Sequence, residues 1–125
     1  MRLEPNVIVL YVDDLAIASQ FYRDLLGIKP IEASITFHSF TLSNGMNVAL
    51  KARHSVVPPT ESKSCNGELA FTLDSPKAVN ELFAEWRTKG VNIIFSPSQV
   101  PFGYTFVALD PDGHRLRVCS VGKAS

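Results

Sequence analysis

The side chains able to do chemistry are few and widely spaced. The histidines are His38, His54 and His114, and no two stand at the short spacing that brings two imidazoles onto one metal ion. His38 falls in an extended run, His54 in an irregular stretch and His114 beside a turn, so all three read as ordinary polar or surface residues. Cys65 and Cys119 lack CxxC spacing and read as free thiols of a reducing compartment. Asp110 and Asp112 could be taken for a catalytic carboxylate pair. Their setting, Asp110-Pro111-Asp112-Gly113, is turn chemistry instead: proline presets φ and glycine takes the strained position. No nucleophile stands beside a base, so no catalytic residue is expected. What remains is binding chemistry. Glu68 and Arg117 offer opposite charges, Lys51 a further cation, and Tyr11, Phe37, Phe40, Phe102, Tyr104 and Phe106 offer faces on which a flat ring can stack. Arg117 either holds a ligand carboxylate or pairs with Glu68, and Lys51 either binds or is solvated.

These residues are carried by elements that repeat. Residues 7–12 (VIVLYV) form a continuous β-branched and aromatic run, a buried strand. Asp13-Asp14 then open a helix whose apolar face is Leu15, Ala18, Phe21, Tyr22 and Leu25, and Gly27 ends it. Residues 36–42 and 46–51 are strands joined by a tight turn at Asn44-Gly45. The stretch 52–67, with Pro58-Pro59, is a loop or linker. The pattern then restarts. Residues 68–73 are a strand, Ser75-Pro76 cap a helix with Val79, Leu82, Phe83 and Trp86 on its apolar stripe, and Gly90 closes it. Trp86 is assigned to the core on that spacing. Residues 91–95 are a strand, Pro97, Pro101 and Gly103 punctuate a loop, and 104–109 and 114–119 form a hairpin.

The restart is an internal repeat. Val12-Asp13-Asp14 recurs as Leu73-Asp74-Ser75 at a spacing of 61 residues, and Asn44-Gly45 recurs as Asp112-Gly113 at 68. The difference is a seven-residue insertion between helix and hairpin in the second half. Each unit is βαβββ, and two such units suggest paired curved sheets sharing a cavity.

Bulk properties narrow the function. A chain of 125 residues, 46% hydrophobic and 19% charged, is one globular domain rather than a disordered chain. Lys+Arg and Asp+Glu both total 12, which removes any electrostatic case for nucleic acid or an anionic membrane. No apolar run is long enough to span a bilayer and the N-terminus lacks a signal peptide, so a cytoplasmic location is expected.

Two stretches, YVDDLAIASQFYRDLLGIKP at 11–30 and FVALDPDGHRLRV at 106–118, resemble the vicinal oxygen chelate superfamily of glyoxalase I, bleomycin-resistance proteins and extradiol dioxygenases. The likeness covers residues 5–120. The ending FGYTFVALDPDGHRLRVCS and the ELFAEW helix are most similar to the phenazine-resistance type of binding protein. The resemblance implies an α+β fold: two βαβββ modules (about 5–51 and 68–120, linker about 52–67) forming curved mixed sheets around a shared cavity, helices on the outer face. It also implies where a metal would sit, with one ligand on the first and one on the last strand of each unit. Those positions are Val7, Ala49, Glu68 and Arg117. Only Glu68 can ligate a divalent ion; Val7 and Ala49 have no donor atom and Arg117 is a permanent cation. Strand parity then puts Val7, Val9, Tyr11, Ala70 and Thr72 on the cavity side, and Ile8, Leu10, Val12, Leu69, Phe71 and Leu73 under the helices. The expectation is a metal-free, cofactor-free protein that sequesters a planar or largely apolar antibiotic-like molecule. Its ligand-binding residues would be Tyr11, Phe37, Phe40, Lys51, Glu68, Phe102, Tyr104 and Arg117. By the same resemblance it would be a homodimer, with modules exchanged between chains as one arrangement. The rival readings are a metal-dependent lyase, isomerase or dioxygenase with an atypical ligand set, and a regulatory partner domain.

Overall fold

The computed structural model describes residues 3–60 and 67–121. Cys65 and most of the second half of the 52–67 linker lie outside them. The chain divides into two compact units, Met1–Lys63 and Ser64–Ser125.

In the first unit β1 (Val7–Val12) leads into α1 (Leu15–Leu26), followed by β2 (Glu32–Ala33), β3 (Phe37–Thr41) and β4 (Asn47–Ala52). The sheet order is β1-β4-β3-β2, with β1 parallel to β4 and the other pairs antiparallel. Asp14 caps α1 by accepting a hydrogen bond from the Ile17 amide at 3.1 Å. Gly27 ends it in the left-handed conformation at φ 70°, its amide donating to the Arg23 carbonyl. Leu15, Ala18, Ser19 and Tyr22 are the buried residues of α1. The two-residue strand β2 completes the βαβββ order of the unit at residues that no periodicity marks, since a strand that short carries no periodic signal of its own.

The second unit repeats this order. β5 (Glu68–Thr72), α2 (Pro76–Thr88), β6 (Asn92–Val100), β7 (Gly103–Leu109) and β8 (Arg115–Val121) form a sheet of order β5-β8-β7-β6. Ser75 caps α2 through the Ala78 amide at 3.1 Å, with Pro76 in the first turn. The repeat spacings hold in three dimensions. Val7 pairs with Asn47 as Glu68 pairs with Arg115, and the caps Asp14 and Ser75 occupy equivalent places.

The expected loop around Pro97 is strand instead. β6 continues through it to Val100 because β6 is an edge strand and Pro97 falls inside a register shift between Phe95 and Ser98. A proline there need not supply a ladder N–H. With nine residues in β6 against two in β2, the seven-residue insertion goes into lengthening this hairpin.

In each unit one face of the sheet lies under the helix and is largely apolar. Leu10 and Val12 are buried while Val7, Val9 and Tyr11 are exposed, as the alternation predicts. In the second unit Trp86 of α2 meets Phe71 and Phe106 edge-on at 5.7 and 5.4 Å, and Phe83 meets Phe106 at 5.5 Å. This aromatic cluster is the core of the unit. Trp86, 2% exposed, is thus a core residue as its spacing indicated, whereas Phe106 sits in the core rather than at a rim.

Candidate functional site

The faces turned away from the helices carry most of the residues expected to bind, and strand register decides which residues reach them. In the first unit Lys51 has Tyr11 beside it on β1 and Phe37 beside it on β3. Partners across a ladder share a face, so the three form one row: aromatic, cation, aromatic. The Lys51 ammonium lies 5.9 Å from the Phe37 ring centroid and 3.4 Å from Thr36 Oγ1. Ala49 with Ser39, and Asn47 with Thr41, continue the face, and Thr41 Oγ1 donates to Asn47 Oδ1 at 2.6 Å.

In the second unit Arg117 is the centre. Its Nε donates to Glu68 Oε1 at 2.7 Å and its Nη1 to Thr105 Oγ1 at 3.2 Å, and its guanidinium lies 5.3 Å from the Phe102 ring centroid. Thr105 is fully buried and passes its own proton to the Val118 carbonyl at 2.7 Å. That bond fixes the hydroxyl oxygen as an acceptor for Arg117. Arg115, two residues away on the same face, approaches the other carboxylate oxygen of Glu68 at 3.8 Å. Charge-assisted contacts on both sides hold Arg117 in one orientation, although a partly exposed ion pair adds little to stability.

Of the eight expected site residues, Tyr11, Phe37 and Lys51 come together in the first unit, and Glu68, Phe102 and Arg117 in the second. Phe40 and Tyr104 are placed differently. Phe40 pairs with Val48 and is fully buried on the helix side. Tyr104 points to α2, where its hydroxyl donates to Asn80 Oδ1 at 2.7 Å. Both corrections have one cause: side chains alternate along a strand, and the phase is set by the hairpin turn. Counting outward from the Asp110–Gly113 turn pairs Leu109 with Arg115, Val107 with Arg117 and Thr105 with Cys119. That count puts Tyr104 and Phe106 on the helix side, and it also brings in Thr105, whose residue type alone gives no sign of a role at the site.

The histidines and acidic pair have local roles. Asp110 Oδ1 accepts from the Asp112 and His114 amides, at 2.9 and 2.8 Å, and Oδ2 meets His114 Nδ1 at 2.6 Å. The carboxylate therefore builds the turn and orients His114, which is a turn residue rather than a loose surface one. His38 Nδ1 meets Ser19 Oγ at 2.6 Å on the helix side, and Ser19 is buried. His54 lies in a short 3-10 turn, Arg53–Ser55. Cys119 is a free, buried thiol.

Residues 5–118 match the family model of the glyoxalase/bleomycin resistance protein/dioxygenase superfamily. The chain belongs to this superfamily. It is 28% identical over 120 residues to the phenazine antibiotic resistance protein EhpR of Enterobacter agglomerans, covering 94% of this chain and 92% of that one. The solution structure of protein ATC0852 from Agrobacterium tumefaciens is 44% identical, with a TM-score of 0.88 over 97% of this chain and 99% of that one. A glyoxalase-related enzyme from Fulvimarina pelagi superposes with a TM-score of 0.81 at 20% identity, covering 94% of this chain and 87% of that one; at that identity the likeness is one of fold.

The superfamily's enzymes hold a metal, and the corresponding side chains here do not fit one. Val7 and Ala49 offer no donor, Glu68 is engaged by Arg117, and Arg117 is cationic. Among the described residues no three His, Cys, Asp or Glu side chains converge. Nor is any helix among them long and apolar enough to cross a membrane.

Proposed function

We propose that this protein binds and sequesters a flat, largely apolar small molecule of the aromatic antibiotic kind, without a metal and without catalysis. The observation that carries the reading is the substitution of the superfamily's ligand positions by Val7, Ala49 and an ion-paired Glu68–Arg117. A guanidinium held by a carboxylate and a buried hydroxyl is an orienting device for a ligand, and a metal there would be repelled. Tyr11, Phe37 and Phe102 supply stacking surface, and the apolar strand residues supply burial. The named resistance role of EhpR supports the ligand class, and the reading takes with it the homodimer that family membership implies, to be checked by sedimentation.

Two measurements test it. Elemental analysis after incubation with Ni²⁺, Zn²⁺ or Fe²⁺ is expected to find below about a tenth of an equivalent per chain. Fluorescence titration with a planar phenazine is expected to saturate at one site per chain. Close to one chelatable equivalent of metal would overturn the reading in favour of a metal-dependent lyase, isomerase or dioxygenase.

A further inference from the structure

We infer that the ligand of the second unit is an acid: a planar aromatic bearing a carboxylate, held by Arg117 and Arg115. This rests on the binding reading above and names the chemical class that reading leaves open.

Among the strand residues on this face of the second unit, the ionisable side chains that carry charge at neutral pH are Glu68, Arg115 and Arg117. Two guanidinium groups stand against one carboxylate, an excess of one positive charge, in a chain whose net charge is zero. The single carboxylate does not use up the donors. Glu68 takes the Nε of Arg117, and Thr105 takes Nη1; Nη2 has no bonding partner among the described residues. The Arg115–Glu68 approach, at 3.8 Å, is an ion pair too long to be a hydrogen bond. The N–H groups left over point to a second anion, and the planar fork of a guanidinium matches a carboxylate.

The surroundings specify what carries that anion. Arg117 lies in a row with Val107 and Phe95 on one side and Ala70 on the other, all of them apolar. Phe95 and Phe102 are 40% and 53% exposed, so both have ring surface to give. Val107, between Phe95 and Arg117, is fully buried, so the ring surface on offer is that of Phe95 and Phe102. An exposed ring beside a fixed guanidinium, Phe102 at 5.3 Å from Arg117, suits a flat ring system with an acid at one end. A cationic antibiotic would meet like charge there.

The test is a fluorescence titration of the intact protein with three probes sharing one ring: anthracene-2-carboxylate, its carboxamide, and the corresponding aminomethyl cation. The acid is expected to bind about tenfold or more tightly than the amide, and the cation most weakly. Raising NaCl from about 50 to about 500 mM is expected to weaken the acid and spare the amide. Arg117→Met keeps the aliphatic stem and is expected to bring the acid-to-amide ratio close to one, through a larger loss of acid than of amide binding. Arg115→Met is expected to lower the ratio in part. Because the ratio is read first on the unsubstituted protein, a variant that fails to fold does not decide the matter. Equal binding of acid and amide, or preference for the cation, would overturn the acid assignment while leaving a flat-ring binder. Binding of none of the three would overturn the binding reading, and the acid assignment with it.

Discussion

Arg117 gains its role from what fixes it. A lone surface arginine samples many rotamers, and ordering it costs side-chain entropy when a ligand arrives. Here Glu68 and Thr105 have already met that cost, at 2.7 and 3.2 Å. Thr105 can do so only because the Val118 carbonyl takes its proton. The contrast between Phe102 and Tyr104, two residues apart but on opposite sides of the sheet, tests the assignment of faces. Phe102→Ala should weaken binding of a planar acid about three- to tenfold through lost stacking, read by titration. Tyr104→Phe should leave that affinity unchanged and cost about 1 kcal/mol of stability through the lost bond to Asn80, read by urea unfolding. A drop in affinity for the tyrosine variant would mean that the faces are misassigned.

At the scale of elements, caps and close approaches hold the frame. Ser75 satisfies an α2 amide that has no partner within the helix, so Ser75→Ala should cost about 1 kcal/mol. Gly103 is under a harder constraint. A Cβ there would run into the Ser120 carbonyl oxygen across the β7–β8 ladder, with Cys119 Sγ 3.1 Å away. Backbone cannot swing aside as a side chain can, so Gly103→Ala should cost about 1–3 kcal/mol by thermal unfolding. It should also disturb Phe102, its neighbour in the β6–β7 turn. That turn belongs to the lengthened hairpin of the second unit, so an asymmetry between the two repeats lies where one unit offers its exposed ring.

At the scale of the whole chain, balanced charge and a small size set the terms. With net charge zero there is no long-range field to steer a ligand, so selection for an acid rests on contacts made at Arg115 and Arg117. A chain of 125 residues is also marginal enough for binding to be visible in its stability. Ligand at a hundred times its Kd adds about 2.7 kcal/mol to the folded state. The carboxylate probe at that concentration should therefore raise the Tm by several degrees, while the amide at the same concentration should raise it much less. Equal shifts from the two would count against a charge-selective site.

How much of this was legible follows from the range over which each signal acts. The caps at Asp14 and Ser75, the helix stop at Gly27 and the hairpin turn at Asp110–Gly113 are local chemistry, written in a few adjacent residues. The repeat spacings and the alternation of β1 and β5 depend on periodicity alone, so the exposed faces carrying Tyr11 and Glu68 could be read from the chain. The absence of metal donors at Val7 and Ala49 is likewise a property of residue type. The placement of Phe40, Tyr104 and Phe106 was different. Each sits on a strand with aromatic or β-branched neighbours on both faces, where composition cannot fix the phase. Only pairing across the sheet, Phe40 with Val48 and Phe106 with Val118, sent them under the helices. The pairing of Arg117 with Glu68 was one of two alternatives open from the sequence, but the contact with Thr105, 12 positions away, was beyond it. Residue type and local spacing determined what this chain can bind with. Register between distant strands decided which of those side chains share a face, because hydrogen-bonded pairing is a long-range choice that no single stretch contains.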